Sequence, residues 1–184
     1  NQFGALAMAG CGSYSKIEGF GFIPVTCFSQ ALTTFIGQNL GAKEYDRTKK
    51  GALFGTICGI GIAEVIGIAV FFFSPYLIAA FGGDQKAIEY GIAEAHTIAL
   101  FYCLLAFSHC MAAIQRGAGR SIVPMFVMML VWCGVRVTYI SIVIRIIPMI
   151  NVIYWAYPLT WFISSVIFLI LFLKTDWIHG LEKQ

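Results

Sequence analysis

Five long apolar stretches, separated by short polar segments, dominate the sequence. They cover about residues 5–38, 51–73, 88–114, 121–147 and 152–173. Each stretch is long enough to cross a membrane as one helix, because the hydrocarbon core of a bilayer needs about 20 consecutive apolar residues. The pattern therefore predicts an all-α fold, a polytopic bundle of five transmembrane helices.

Glycine and proline mark the predicted helix ends, because neither residue continues a helix readily. The residues that close the first four stretches are Gly37 with Gly41, Ser74-Pro75, Gly117 with Gly119, and Pro148. The first stretch is longer than one straight span requires, and Pro24 within it predicts a kink.

The composition excludes an ordinary soluble domain. Hydrophobic residues make up 59% of the chain and charged residues only 11%, whereas soluble domains carry about 45–50% and about 25%. The net charge of +3 is too small to indicate a nucleic-acid partner, and intrinsic disorder needs more solvated charge. The six cysteines lie in apolar stretches without a Cys-x-x-Cys pair, so they predict buried thiols rather than disulfides.

Basic residues are concentrated on one side of the predicted bundle. Eight of them lie in or beside the segments on that side: Lys43, Arg47, Lys49, Lys50, Arg116, Arg120, Lys174 and Lys183. The opposite side carries only Lys86 and Arg145. Because basic residues collect in cytoplasmic loops, the sequence predicts a multi-pass protein of the cell membrane with its N-terminus outside and its C-terminus in the cytoplasm. An outside N-terminus and a first residue other than Met lead us to expect a fragment with at least one further helix upstream.

Five charged side chains fall at membrane depth, where an uncompensated charge is costly. They are Lys16 and Glu18 on helix one, Glu64 on helix two, Glu94 on helix three and Arg136 on helix four. Lys16 and Glu18 are two residues apart and leave the helix on nearly opposite sides, so they cannot simply pair. Three acids face two basic groups, which leaves one acid to take up a proton or a sodium ion. Glu18, Glu94 and Glu64 are therefore candidates for ion coupling, with fixed structural ion pairs as the alternative interpretation.

Aromatic and sulfur-containing residues share one face of helix four with a single charge. Such a soft face can hold a flat lipophilic ligand, although ordinary helix packing accounts for it equally well. Together with residues of the other helices, the candidates for a substrate cavity are Lys16, Arg136, Met129, Trp132, Tyr139, His96 and Tyr157.

Small residues recur every four positions on helix two, at Gly51, Gly55, Gly59, Ala63 and Gly67. A stripe of this kind lets another helix approach closely. No P-loop, metal-spaced His/Cys cluster or serine nucleophile elbow is found in the sequence. We therefore predict no enzyme, no catalytic residues, no metal site and no cofactor.

Three local patterns resemble the multidrug and toxic compound extrusion (MATE) family. The segment 16–24 is similar to the family's basic-Ile-acid…Phe…Pro sequence, and Gly-Gln-Asn-Leu-Gly-Ala at 37–42 is similar to its loop sequence. Arg-Gly-Ala-Gly at 116–119, followed by Pro124, is the third pattern. On the last helix, Pro158-Leu159-Thr160-Trp161 is similar to a family Pro-x-x-Trp.

The resemblance implies an antiporter with twelve helices in two lobes. Residues 1–184 would be part of the C-terminal lobe, with the first helix of that lobe missing. Family members export organic cations and other amphipathic compounds in exchange for Na⁺ or H⁺, by rocking two lobes around a central cavity. Some members use acids on the first and fourth helices of this lobe. The fourth helix of the lobe corresponds to helix three of this chain, where the available acid is Glu94. The expected partners are membrane lipids, amphipathic organic cations and the missing N-terminal lobe.

Other functions stay open at this stage. A flippase for lipid-linked saccharides belongs to the same superfamily, but such proteins line the cavity with several basic residues, and here only Lys16 and Arg136 are available against three acids. A non-transporting membrane interaction protein is a second alternative. A membrane-embedded enzyme acting on lipids would need a clustered catalytic set, which the sequence does not contain.

Overall fold

The chain folds into five long helices. A computed structural model describes residues 3–178, which leaves Lys183 outside the described part. The helices are α1 (Gly4–Gly41), α2 (Tyr45–Ala80), α3 (Gln85–Gly117), α4 (Ile122–Ile146) and α5 (Asn151–Lys174). All five are long and apolar enough to cross a membrane, and the predicted all-α bundle is confirmed.

The predicted end of the second span at Ser74-Pro75 is wrong, because α2 continues to Ala80. Proline lacks an N–H, so Pro75 leaves the carbonyl of Phe71 without its helical donor. The Ser74 hydroxyl donates to that carbonyl at 3.2 Å, and His96 Nε2 lies 3.1 Å from it. Neighbouring side chains that take over a freed carbonyl are the usual reason that proline is tolerated inside membrane helices.

Helix α3 occupies the centre of the bundle and contacts each of the other four helices. Helices α1 and α2 pack against it on one side, and α5 packs against it on the other with α4 alongside. A buried hydroxyl network fastens α3 to α5: Ser108 Oγ lies 2.9 Å from Ser164 Oγ and 3.0 Å from Ser165 Oγ. The bundle therefore has two sides, with α3 shared between them.

The small residues of α2 make the close contacts that the sequence predicts. An added Cβ at Gly67 would stand 2.3 Å from the carbonyl oxygen of Ala99, and one at Gly59 would stand 2.7 Å from the sulfur of Cys110. Both partners belong to α3, while the earlier glycines of the stripe stand against side chains of α1, so the stripe lets α2 approach both helices closely.

Two irregular turns interrupt the later helices. Helix α3 contains a 3₁₀ turn at Ala99–Phe101, and α4 contains a π-helical segment at Met129–Val135. Such turns leave backbone groups without regular partners and are frequent at functional sites. Both lie beside the polar side chains described next.

Candidate functional site

A cleft of about 220 Å³ lies between α1 on one side and α4 and α5 on the other. It is lined by Ser15, Glu18, Gly19 and Phe22 of α1, Leu105 of α3, Arg136 of α4, and Tyr157 and Trp161 of α5. The cleft therefore brings together one acid, one base and three aromatic rings from helices far apart in the sequence. Glu18, Arg136 and Tyr157 were predicted as site residues, and they meet here.

Arg136 is held in place by α5. Its Nε and Nη2 atoms donate to Thr160 Oγ1 at 3.2 and 2.7 Å. Its guanidinium carbon lies 4.3 Å from the centre of the Tyr157 ring and 5.9 Å from that of Trp132. A guanidinium stacked on aromatic faces keeps its charge while losing little orientational freedom. Arg136 is consequently a fixed positive charge, within electrostatic range of Glu18 across the cleft.

The π-helical segment of α4 positions Trp132 just before Arg136. The indole N–H of Trp132 donates to Ser164 Oγ at 3.2 Å and so joins the hydroxyl network between α3 and α5. The Trp132 ring also lies 5.4 Å from the ring of His109, which in turn lies 4.8 Å from Phe22. These three rings form a layer that reaches the wall of the cleft at Phe22.

Glu94 is buried behind the cleft without a full set of partners. Its side chain is 5% exposed, and among residues 3–178 its Oε2 atom has no hydrogen-bond partner. The Cys11 thiol lies next to the carboxylate, and the Tyr154 hydroxyl lies 3.7 Å from that thiol. The Tyr154 hydroxyl itself donates to the carbonyl of Tyr90 at 3.2 Å. A buried carboxylate oxygen without a donor is a place for a proton or a cation.

Glu94 and Glu18 belong to one electrostatic cluster. The two carboxylates are within electrostatic range of each other. A buried pair of tyrosines, Tyr14 and Tyr102, whose hydroxyls lie 3.1 Å apart, is within range of both acids. With Arg136, the cluster holds two acids and one base.

Glu64, the third predicted coupling acid, has a different environment. Its Oε2 accepts a hydrogen bond from the backbone N–H of Cys103 at 3.1 Å. That N–H lies just after the 3₁₀ turn Ala99–Phe101, where the α-helical hydrogen bonding of α3 is interrupted. A carboxylate at such a point stabilises the restarted helix as an N-terminal cap does.

We therefore expect Glu64 to affect stability and not transport. Glu64→Ala removes the acceptor and should lower the free energy of unfolding by about 0.5–2 kcal/mol. Glu64→Gln keeps an acceptor oxygen at the same distance and should retain both stability and ion-driven transport. Thermal unfolding and transport of the two variants, each in the full protein that contains this chain, check the assignment. Loss of coupling in Glu64→Gln at normal stability would contradict it.

The remaining predicted cavity residues lie away from the cleft. The Lys16 ammonium group is 5.3 Å from the centre of the Phe81 ring, at the end of α2. His96 stacks on Phe71 with 4.4 Å between ring centres. Its Nε2 atom is within hydrogen-bond distance of the Phe71 carbonyl, which Pro75 leaves without a helical donor. Met129 and Tyr139 on α4 are both partly exposed, and neither lines the cleft.

Thr160 is a site residue that sequence reasoning missed. Its hydroxyl accepts from Arg136 and donates within α5, with the carbonyls of Ala156 and Tyr157 at 2.9 and 3.0 Å. A signal was available, because Thr160 lies three residues after Tyr157 and so shares its helix face. A threonine next to a predicted aromatic cavity residue is a candidate partner for the arginine opposite.

Comparison with known proteins now identifies the family. The MatE family model matches residues 1–142, more than three quarters of the chain. The chain belongs to the MATE family. The resemblance inferred from the sequence motifs is thereby confirmed.

Curated relatives of this MATE family chain are named as multidrug resistance proteins. It is 30% identical over 124 residues to the "Probable multidrug resistance protein NorM" of Thermotoga maritima, which covers 67% of this chain and 27% of that protein. It is 24% identical over 141 residues to the "Probable multidrug resistance protein YoeA" of Bacillus subtilis, with 74% and 30% covered. The chain thus spans less than a third of the length of these relatives.

The fold also matches a solved MATE structure. The "MATE transporter ClbM in complex with Rb+" superimposes with a TM-score of 0.86 at 18% identity, over 96% of this chain and 42% of that protein. At this identity the match concerns the arrangement of helices. The five helices of this MATE chain are therefore arranged as in a multi-pass membrane protein of that family.

Proposed function

We propose that this chain is part of a secondary active antiporter that exports organic cations in exchange for Na⁺ or H⁺. Its membership of the MATE family and the multidrug-resistance names of its relatives support the class of function. The rest of the transporter, including the other lobe, would supply the opposite wall of the substrate cavity. The proposal assigns no enzymatic step to the chain.

The unpartnered carboxylate of Glu94 carries the proposal. Glu18 faces Arg136 across the cleft, whereas within residues 3–178 Glu94 Oε2 has no donor. With all three groups ionised, the two acids and one base of the cluster would carry one uncompensated negative charge. Because an uncompensated charge there is costly, the cluster favours one monovalent cation at a time. The solved MATE transporter of the same fold is named in complex with Rb⁺, which is a monovalent cation.

The same charge balance accounts for exchange. A proton or Na⁺ on Glu94 neutralises the cluster, and so does an organic cation in the cleft beside Glu18. The two cations would therefore compete electrostatically, and arrival of one favours release of the other. Tyr157 and Trp161 line the cleft and would hold the aromatic part of such a substrate. A diphosphate-carrying lipid fits less well, since Arg136 is the one basic side chain that lines this cleft in the described part of the chain.

The proposed orientation places the α1–α2 turn in the cytoplasm. The excess of basic residues on that side supports it. In a cysteine-free background, a membrane-impermeant maleimide should label Lys86→Cys in intact cells and Lys43→Cys only after lysis. Both positions are exposed. The reverse labelling pattern would contradict the orientation.

Transport by the full protein tests the proposal. In proteoliposomes, a fluorescent organic cation should move against its concentration gradient when an opposing Na⁺ or H⁺ gradient is imposed. Movement should stop when the gradient is collapsed with an ionophore for the same ion. Transport that persists without either gradient, or that requires ATP, would contradict antiport.

A further inference from the structure

A second groove, larger than the cleft, lies between α2 and α5 at the end of the bundle where α2 begins and α5 ends. Its volume is about 440 Å³. It is lined by Lys49, Ala52, Leu53 and Thr56 of α2, Phe107 and Met111 of α3, Leu169, Phe172 and Leu173 of α5, and Trp177 and Ile178 beyond it. Neither the cleft nor the proposed transport cycle uses these residues.

The interior of the groove is apolar throughout. The Thr56 hydroxyl donates to the carbonyl of Ala52 at 2.8 Å and so presents no free donor. Trp177 stacks on Phe172 with ring centres 5.2 Å apart and closes one end. Leu53 and Leu173, which are 65% and 73% exposed, form the open edge. The volume of the groove and its apolar walls leave room for part of a hydrocarbon chain.

One charge stands at the mouth of the groove. Lys49 is the charged side chain that lines it within the described residues. The neighbouring acids Glu44 and Asp46 line a different groove, together with Arg47 and Lys50. Lys49 is therefore left facing the apolar groove, at the level where the basic ends of α2 and α5 meet the membrane surface. An apolar groove with one ammonium group at its mouth complements an acyl chain attached to an anionic head group.

We propose that this groove binds an anionic glycerophospholipid of the surrounding bilayer. One acyl chain lies along Leu53, Leu169 and Phe107, and the phosphate lies at Lys49. The bound lipid connects α2 to α5 on the surface of α3. The site is independent of the transport function, since it shares no residue with the cleft.

Native mass spectrometry of the full, delipidated protein tests the head-group contact. The probes are dioleoyl-phosphatidylglycerol and dioleoyl-phosphatidylcholine, which differ in net charge and share their acyl chains. We expect the first phosphatidylglycerol adduct to form with several-fold higher affinity than the phosphatidylcholine adduct, and Lys49→Gln to lower it by about fivefold. Lys50→Gln is the matched control. It removes the same charge at the next position in the sequence, and the Lys50 side chain lines the other groove. Equal losses in both variants, or equal affinity for the two lipids, would overturn the proposal.

A blocking variant tests the acyl-chain contact separately. Leu169→Trp fills the groove from its exposed edge and should weaken the first adduct of both lipids alike. Leu130→Trp, at a position 60% exposed on α4 and outside the groove, should leave both unchanged. Thermal unfolding midpoints of the two tryptophan variants confirm that each remains folded. Unchanged lipid binding in Leu169→Trp would overturn the assignment of this groove.

Discussion

Glu94→Gln is expected to abolish ion-driven export while leaving the protein folded. Glutamine keeps the shape of the side chain but can neither take up a proton nor balance Na⁺. The carboxylate is buried, and its Oε2 atom has no donor among residues 3–178, which leaves that oxygen to a proton or a cation. Gradient-driven transport in proteoliposomes should fall by about tenfold or more, the factor that about 1.4 kcal/mol of lost ion binding produces.

Two further substitutions make that result specific. Glu89→Gln changes an exposed acid on the same helix and should leave transport unchanged. Glu18→Gln removes the acid that faces Arg136 and should raise the substrate concentration for half-maximal transport, and it should weaken the ion dependence less than Glu94→Gln does because the ion-binding carboxylate is kept. Normal coupling in Glu94→Gln, or an equal loss in Glu89→Gln, would contradict the role of Glu94.

Gly67→Ala is expected to cause the largest loss of stability among single-methyl additions on α2. The new Cβ would stand 2.3 Å from the carbonyl oxygen of Ala99 and 3.3 Å from its carbonyl carbon. These atoms are backbone, so relief requires the two helices to move apart. Overpacking of this kind costs about 1–3 kcal/mol and should lower the thermal unfolding midpoint of the purified full protein.

Gly61→Ala is the matched control for that substitution. Gly61 lies on the same helix, and an added Cβ there would meet no atom within 4 Å. Since alanine favours helix over glycine by up to about 1 kcal/mol, the control should be neutral or slightly stabilising. A Gly67→Ala protein as stable as the Gly61→Ala protein would mean that α2 and α3 are not in close contact at Ala99.

The helices could be predicted from the sequence because each one is encoded by a long, continuous run of apolar residues. A run of about 20 apolar residues has few structures open to it in a membrane. The failure at Ser74-Pro75 has a tertiary cause, since His96 of α3 helps to satisfy the carbonyl that Pro75 frees. No pattern local to α2 contains that contact. The π-helical segment of α4 gives no apolar-periodicity signal either.

The site was only partly predictable, for a geometric reason. Position along a helix gives an approximate depth in the membrane, which selects charged side chains as candidates but does not say which of them lie together. Depth does not give the direction in which a side chain points when every helix face is apolar. Lys16 points to Phe81 and Glu64 to the Cys103 N–H, although the sequence predicts membrane depth for both. Arg136 lies within electrostatic range of Glu18, and α4 packs beside α5 and not against α2, the helix that carries Glu64.

The measurement that tests the central claim most directly is ion release on substrate binding. The purified full protein is placed in weakly buffered detergent solution, and an organic cation is added while proton release and Na⁺ release are recorded. We predict release of one of the two ions on saturation with substrate, and none from Glu94→Gln. Substrate binding without release of either ion, or equal release from Glu94→Gln, would contradict competition of the two cations for one charge cluster.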